Sequence, residues 1–166
     1  AAFGRNEVYI EHYITSPRHF EVQVLADQYG YIKILSDREC SIQRRHQKII
    51  EEAPIPNIDE NLRDKLWKWA RLIIQSIGFK GLGTVEFLMD PKGEIFFLEI
   101  NGRLQVEHPV TEMITGIDMV REQIMIAAGA HVDPSPVTTI GHSIECRINA
   151  ENTANNFMPT TGTIIQ

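Results

Sequence analysis

The stretch Gly83–Glu112, GTVEFLMDPKGEIFFLEINGRLQVEHPVTE, decides the fold. It reads as a β-hairpin followed by a loop crowded with ionisable groups. Strands over Thr84–Met89 and Glu94–Asn101 flank Asp90-Pro91-Lys92-Gly93, where Pro presets φ and Gly accepts φ > 0. Side chains alternate along a strand, so Thr84, Glu86 and Leu88 share a face, and Ile95, Phe97, Glu99 and Asn101 share one on the partner. Closing the hairpin at residues 89 and 94 sets 86 against 97 and 84 against 99. Glu86 and Glu99 are then diagonal neighbours on one face, roughly 7–8 Å apart at Cα. Carboxylates that close resist ionisation unless a cation sits between them. Glu99 and Asn101 supply oxygens from one face, and hard cations such as Mg²⁺ take oxygen ligands and leave room for phosphate. Exposed Glu is ordinary on an edge strand, and that describes Glu86 as well as a metal site does. Glu99 is the stronger signal: it interrupts the apolar run Ile95-Phe96-Phe97-Leu98-Ile100, and acids are seldom buried unpaired.

The 166 residues suffice for one domain with a sizeable core, and 43% hydrophobic with 23% charged residues is a soluble globular composition. A net charge of −6 argues against a general nucleic-acid binder. Cys40 and Cys146, far apart and without CxxC spacing, suggest neither a zinc site nor a disulfide framework and fit a reducing cytosol. No apolar run reaches membrane-spanning length and no secretory signal opens the chain. The abrupt start at Ala1 and the strand-like close at 162–166 read as the ends of a piece of a longer protein.

In chain order, Glu7–Ile14 alternates like a strand, and Ser16-Pro17-Arg18 breaks it. Phe20–Ala26 alternates with Phe20, Val22, Val24 and Ala26 inward. After a turn at 27–30, Tyr31–Leu35 returns as a third strand running on towards Cys40, which makes an antiparallel meander. Residues 40–48 (CSIQRRHQK) show no apolar period. The ordinary reading of Arg44, Arg45, His46 and Lys48 is a solvated basic loop, and the sharper one is an anion site. A helix capped by Asp59 runs from Leu62 to a stop at Gly78, with Leu62, Leu66, Trp69, Ile73 and Ile77 at helical spacing and Trp67 and Trp69 as packing residues. A short helical turn covers Val110–Ile114. A second helix spans Ile117–Ala128, with Ile117, Val120, Ile124 and Ala127/Ala128 on its apolar face. Asp133-Pro134-Ser135-Pro136 is the best domain boundary. His142–Ala150 alternates with Ser143, Glu145, Arg147 and Asn149 on one face, a polar face that is usually solvent.

Four segments together carry a family resemblance: SIQRRHQKIIEEAP (41–54), GTVEF (83–87), FLEINGRLQVEHPVTEMITG (97–116) and ECRINAE (145–151). They resemble the biotin carboxylases of the ATP-grasp superfamily, which serve acetyl-CoA, propionyl-CoA and pyruvate carboxylases. The likeness runs over essentially the whole chain. A two-carboxylate hairpin alone suggests only an ATP-grasp fold; RRHQK, QVEHPVTE and ECRINAE point to the biotin-dependent branch.

The resemblance implies an α+β fold: the C-terminal lobe of an ATP-grasp domain (residues 1–134), an antiparallel sheet with packed helices, followed by the beginning of the biotin carboxylase C-terminal domain (135–166). It implies an ATP-dependent ligase that phosphorylates bicarbonate to carboxyphosphate and carboxylates biotin. The cofactors implied are ATP and two Mg²⁺ or Mn²⁺ ions, with biotin arriving on a carrier because no Met-Lys-Met attachment sequence is present. Glu86, Glu99 and Asn101 would be metal ligands. Glu107 would be the base for bicarbonate. Lys48, Arg103, Gln105 and the backbone at Val106 would hold bicarbonate, and Arg147 would stabilise the biotin enolate. His19, Gln43 and His46 would meet ribose or phosphates, the backbone of Glu11, His12, Tyr13 and Ile14 would meet adenine, and Leu88 would pack on the ring.

Gly102 departs from the Thr or Pro expected there and would loosen the backbone beside two site residues. The implied partners are a biotin carboxyl carrier protein or domain, a carboxyltransferase and, in the full-length form, a second copy; no nucleic acid or membrane is implied. The implied location is the cytoplasm, or the mitochondrial matrix in a eukaryote. The preceding domain and the Gly-rich lid over ATP are expected on the parent protein, so a fragment without them would turn over little. Two rival readings share the metal hairpin: another ATP-grasp carboxylate–amine ligase, which would not need Glu107 or Arg147, and a non-catalytic Mg-nucleotide-binding module.

Overall fold

The computed structural model describes residue 4 and residues 7–163. The strand expected to open at 162–166 falls largely outside them. Six strands form one antiparallel sheet: β1 (Arg18–Ala26), β2 (Ile32–Arg44), β3 (Gln47–Ala53), β4 (Gly81–Met89), β5 (Ile95–Asn101) and β6 (Ser143–Cys146), in the order β5-β4-β1-β2-β3-β6. Helix α1 (Glu60–Ser76) follows β3, and α2 (His108–Thr115) and α3 (Met119–Ala127) follow β5. A small second ladder pairs β7 (Glu151–Asn152) with β8 (Met158–Pro159). The expectation of an α+β antiparallel sheet with packed helices is met.

Alternation on β1 organises the layers. Phe20, Val22, Val24 and Ala26 point to one side, where Leu66, Ala70 and Ile74 of α1 pack over them with Val85 and Phe87 of β4. Asp59 caps α1 by accepting from Leu62 N at 3.2 Å, and Asp118 caps α3 by accepting from Arg121 N at 2.8 Å. The other side of β1 carries His19, Glu21, Gln23 and Leu25. It is buried as well, because α2, α3 and the 102–107 loop lie against that face.

Several sequence expectations are corrected. Residues 7–14 form no strand: residues 7–13 are solvent-exposed, and among the described residues no strand pairs with the segment. The meander is instead β1-β2-β3, because residues 40–48 are not a loop. β2 runs to Arg44, turns on two residues, and returns as β3. The turn residues Arg45 and His46 both have positive φ, 53° and 62°, the geometry that suits a two-residue hairpin and that Asn-Gly would advertise. On α3 the buried residues are Met119 and Ile126, while the expected core residues Val120 and Ile124 are exposed. β6 and the residues just past it are also inverted: Ser143, Glu145 and Arg147 are partly buried, whereas Ile144, Cys146 and Ile148 are exposed.

The hairpin closes differently from the simple count. Met89 pairs with Ile95 and Phe87 with Phe97, so the turn is one residue longer than assumed; an irregularity at Leu98 then brings Glu86 opposite Glu99 and Thr84 opposite Asn101. Each offset alone would put Glu99 on the far face, and together they cancel. Ile95 and Phe97 consequently lie on the α1 side, not on the face of Glu99. Glu86 and Glu99 are direct cross-strand partners rather than diagonal neighbours.

Candidate active site

The sheet places a row of charges side by side. Glu99 on β5 faces Glu86 on β4, Glu86 faces Glu21 on β1, and Glu21 faces Arg38 on β2. Like charges opposite one another are unfavourable unless cations intervene. Arg38, fully buried, donates Nε and Nη2 to Glu21 Oε2 at 2.9 and 2.8 Å and Nη1 to Gln23 Oε1 at 2.6 Å. Lys48 rises from β3 over the row. Its Nζ contacts Glu21 Oε1, Glu86 Oε1 at 3.2 Å and Glu107 Oε1 at 2.6 Å. His19 Nε2 meets Glu86 Oε2 at 2.6 Å, and Gln43 Nε2 meets the other ring nitrogen at 2.8 Å.

These contacts set the titration of the row. Burial alone would raise the Glu86 carboxyl. The His19 hydrogen bond, the Lys48 charge and the Gln105 hydrogen bond outweigh it and hold the group at about 2. Burial would likewise raise Glu21, but Arg38 and Lys48 keep it below the ordinary carboxylate range. Burial would lower Lys48, and the carboxylates around it raise it instead. The row is therefore anionic, and the Lys48 ammonium is a fixed positive centre within it.

Glu86 is 2% exposed whereas Glu99 is exposed, the reverse of what the apolar run around Glu99 suggested, because β5 is the edge strand. Asn101 Nδ2 spans the two acids, 2.8 Å from Glu86 Oε1 and 3.0 Å from Glu99 Oε1. The residues fit a divalent cation: Arg38 and Lys48 neutralise the closed end of the row, where His19 also hydrogen-bonds Glu86, while at the open end Glu99 has Asn101 as its hydrogen-bond partner. Which Asn101 amide atom faces the acids is an assignment, so its oxygen can be turned towards a cation.

Glu107 precedes α2, whose start carries Pro109, and its two carboxylate oxygens hold different cations. Oε1 accepts from Lys48, and Oε2 accepts from Arg147 Nη2 at 2.9 Å. Arg147, just past the end of β6, is thus drawn inward, where the pattern had suggested solvent. Gln105 donates to Glu86 Oε1 at 2.8 Å. Gly102 lies against Phe79, where an added Cβ would come within 3.1 Å of the ring. At Gly83 the same ring leaves 2.8 Å.

All of this opens into one cleft of ≈ 910 Å³. It is lined by His12, Tyr13, Ile14, His19, Gln43, Arg45, His46, Lys48, Glu86, Leu88, Glu99, Asn101, Arg103, Gln105, Val106, Glu107 and Arg147; of the site residues named from the sequence, Glu11 and Arg44 lie outside. Glu21, Arg38 and Glu51 were missed. Each sits in a strand at a spacing that reads equally well as a solvated face. Arg44 lies outside the cleft, pairing with Glu151 and stacking on Phe157, whereas Arg45 lines the cleft and also donates to Asn156 O at 3.1 Å. Both clasp the β7–β8 hairpin.

The family model of the carbamoyl-phosphate synthase L chain, ATP binding domain, matches residues 1–134. The chain is 52% identical over 99% of its length to a biotin carboxylase of Nostoc sp. (strain PCC 7120 / SAG 25.82 / UTEX 2576), covering 37% of that relative. It is 49% identical over 99% of its length to a biotin carboxylase of Haemophilus influenzae, also covering 37%. Among solved structures it is similar to a biotin carboxylase–βγ-ATP complex from Campylobacter jejuni, with TM-score 0.84, 47% identity, and 90% of this chain and 33% of that one covered. It is also similar to the biotin carboxylase domain dimer of Hydrogenobacter thermophilus 2-oxoglutarate carboxylase in complex with MgADP, ADP and bicarbonate, with TM-score 0.83, 48% identity, and 89% and 33% covered. The chain spans about a third of the length of these relatives.

Proposed function

The chain belongs to the carbamoyl-phosphate synthase L chain ATP-binding domain family, and from that premise we propose that it is the phosphate- and bicarbonate-facing part of a biotin carboxylase. The parent enzyme uses ATP to activate bicarbonate as carboxyphosphate and transfers CO₂ to N1 of biotin on a carrier. The observation that carries this reading is Glu107, held between Lys48 and Arg147 beside the acid row.

Glu107 is placed to take the bicarbonate proton. Lys48, Arg103, Gln105 and the Val106 backbone N–H hold the anion against the γ-phosphate. A Glu107 that gains a proton loses its charge, and with it much of its hold on both neighbours. Arg147 is thereby released to pair with the biotin enolate oxygen as negative charge develops there. Glu86, Glu99 and Asn101 would hold Mg²⁺ or Mn²⁺, which supplies screening of the phosphate charge. His19, Gln43 and His46 face ribose or phosphates. The 11–14 segment and Leu88 border the adenine end, and Leu98 of the same cleft shares that role.

Residues 1–134 form the ATP-grasp part and 135–166 open the following domain, a division that the matched span supports. The parent works in the cytoplasm, or in the mitochondrial matrix of a eukaryote. Among the described residues no helix is long and apolar enough to cross a membrane. A biotin carrier, a carboxyltransferase and a second copy of the enzyme are its partners.

ATP hydrolysis by the full-length protein, assayed with and without bicarbonate and free biotin, tests the proposal. Dependence on both is expected. Hydrolysis or ligation that ignores biotin would overturn it in favour of another carboxylate ligase.

A further inference from the structure

Glu51 on β3 and Glu145 on β6 are direct cross-strand partners. Their Cα atoms are therefore about 5 Å apart and their side chains share a face. Arg147, two residues further along the chain and just past the end of β6, donates Nε to Glu51 Oε1 at 2.6 Å. Each of the two facing carboxyls keeps one oxygen, Oε2, that is buried and without a partner among the described residues. The Glu51 side chain has no solvent exposure.

The charges around the pair do not balance. Glu107 presses on both carboxyls from the loop before α2. Arg147 is the cation in contact, and it is shared with Glu107; His108 and Arg38 act only from further off. Lys48 is occupied by Glu21, Glu86 and Glu107. A buried carboxylate oxygen that accepts nothing is unfavourable. A single proton on the pair turns one of these acceptors into a donor, and it removes one of the two charges.

We propose that Glu51 and Glu145 hold one proton between them, and that Glu51 is thereby a positioning residue that fixes Arg147 for biotin. The second half rests on the reading of the site as a biotin carboxylase. With one proton the pair carries a single negative charge, and Arg147 stays divided between Glu51 and Glu107. With none, the two carboxylates draw the guanidinium towards β3 and away from the cleft. Titration directions agree. Burial pushes Glu51 up, and Glu145 and Glu107 add to that against the pull of Arg147. Burial and Glu107 push Glu145 up against Arg147, His108 and Arg38.

The test uses the full-length enzyme with the glutamate δ-carbons labelled with carbon-13. In the wild type, one carboxyl resonance should titrate well above the range of an ordinary Glu, and it should be missing from Glu51→Gln and from Glu145→Gln. In steady-state assays Glu51→Gln should raise the KM for free biotin about ten-fold while the KM for ATP moves less than about two-fold. Glu145→Gln preserves a neutral partner, so the change in biotin KM with rising pH should disappear. Absence of any such carboxyl, or an unchanged biotin KM in Glu51→Gln, overturns the proposal. If the wild type lacks biotin-dependent hydrolysis, the functional reading falls, and the carboxyl titration still decides the shared proton.

Discussion

Lys48 Nζ lies 2.6 Å from Glu107 Oε1, and the same ammonium also binds Glu21 and Glu86. One cation therefore serves three carboxylates from three separate segments. Lys48→Met would leave those acids facing one another in a largely buried space. Breaking a buried ion pair by removing one partner costs about 3–5 kcal/mol. The variant should lose stability on that scale in urea unfolding, and high salt should restore little of it. A loss of only a few tenths of a kcal/mol would show that Lys48 is not the keystone of the row.

Glu107 is the group whose proton transfer the proposed chemistry needs. Glu107→Gln keeps the shape and one accepting oxygen, enough for only one of Lys48 and Arg147, and it cannot accept a proton as the carboxylate does. Bicarbonate-dependent turnover of the full-length enzyme should fall by about 10²–10⁴-fold, with ATP affinity measured by calorimetry changing little. Full retention of turnover would remove Glu107 from the mechanism.

Glu86 makes acid stability measurable. Its carboxyl is held at about 2, below its ordinary value of 4.5. The folded state therefore favours the ionised form, and this contribution is complete above pH 4.5 and is lost as the pH falls from there towards 2. The shift corresponds to a stabilisation of order 3 kcal/mol. Glu86→Gln should flatten that acid limb in denaturation followed by circular dichroism between those pH values; an unchanged limb would contradict the assignment.

Arg44 predicts the opposite kind of result. It is a partly exposed clamp on Glu151 and Phe157, outside the cleft. Exposed ion pairs and cation–π contacts add little to global stability. Arg44→Ala should speed amide exchange across 151–159 while leaving the urea midpoint of the whole domain nearly unchanged. Unaltered exchange there would mean that the clasp is idle.

The wrong turns of the sequence reading have distinct physical causes. The hairpin and its acids were legible because strand parity is insensitive to two compensating offsets. Residues 40–48 concealed a strand pair because Arg45-His46 adopts a backbone geometry that neither residue advertises. Glu21 and Gln23 alternate with apolar neighbours and Arg38 sits in the charged run Asp37-Arg38-Glu39, and neither pattern distinguishes a face in water from a polar face buried beneath another layer. Just past β6 the same ambiguity hid Arg147, which only the family likeness brought forward. For α3, both sides carry aliphatic residues, so helical spacing alone did not identify the side of Met119 and Ile126 as the inner one.

The irregularity at Leu98 makes the acid site a property of main-chain geometry as much as of residue identity. If β5 were straightened into an ideal strand, Leu98 would slide opposite Glu86 and Glu99 would swing to the far face, with every amino acid still in place. Redesign for a tidier, tougher hairpin would thus erase the cation position without changing one chemical group, and an alignment of such a variant would give no warning.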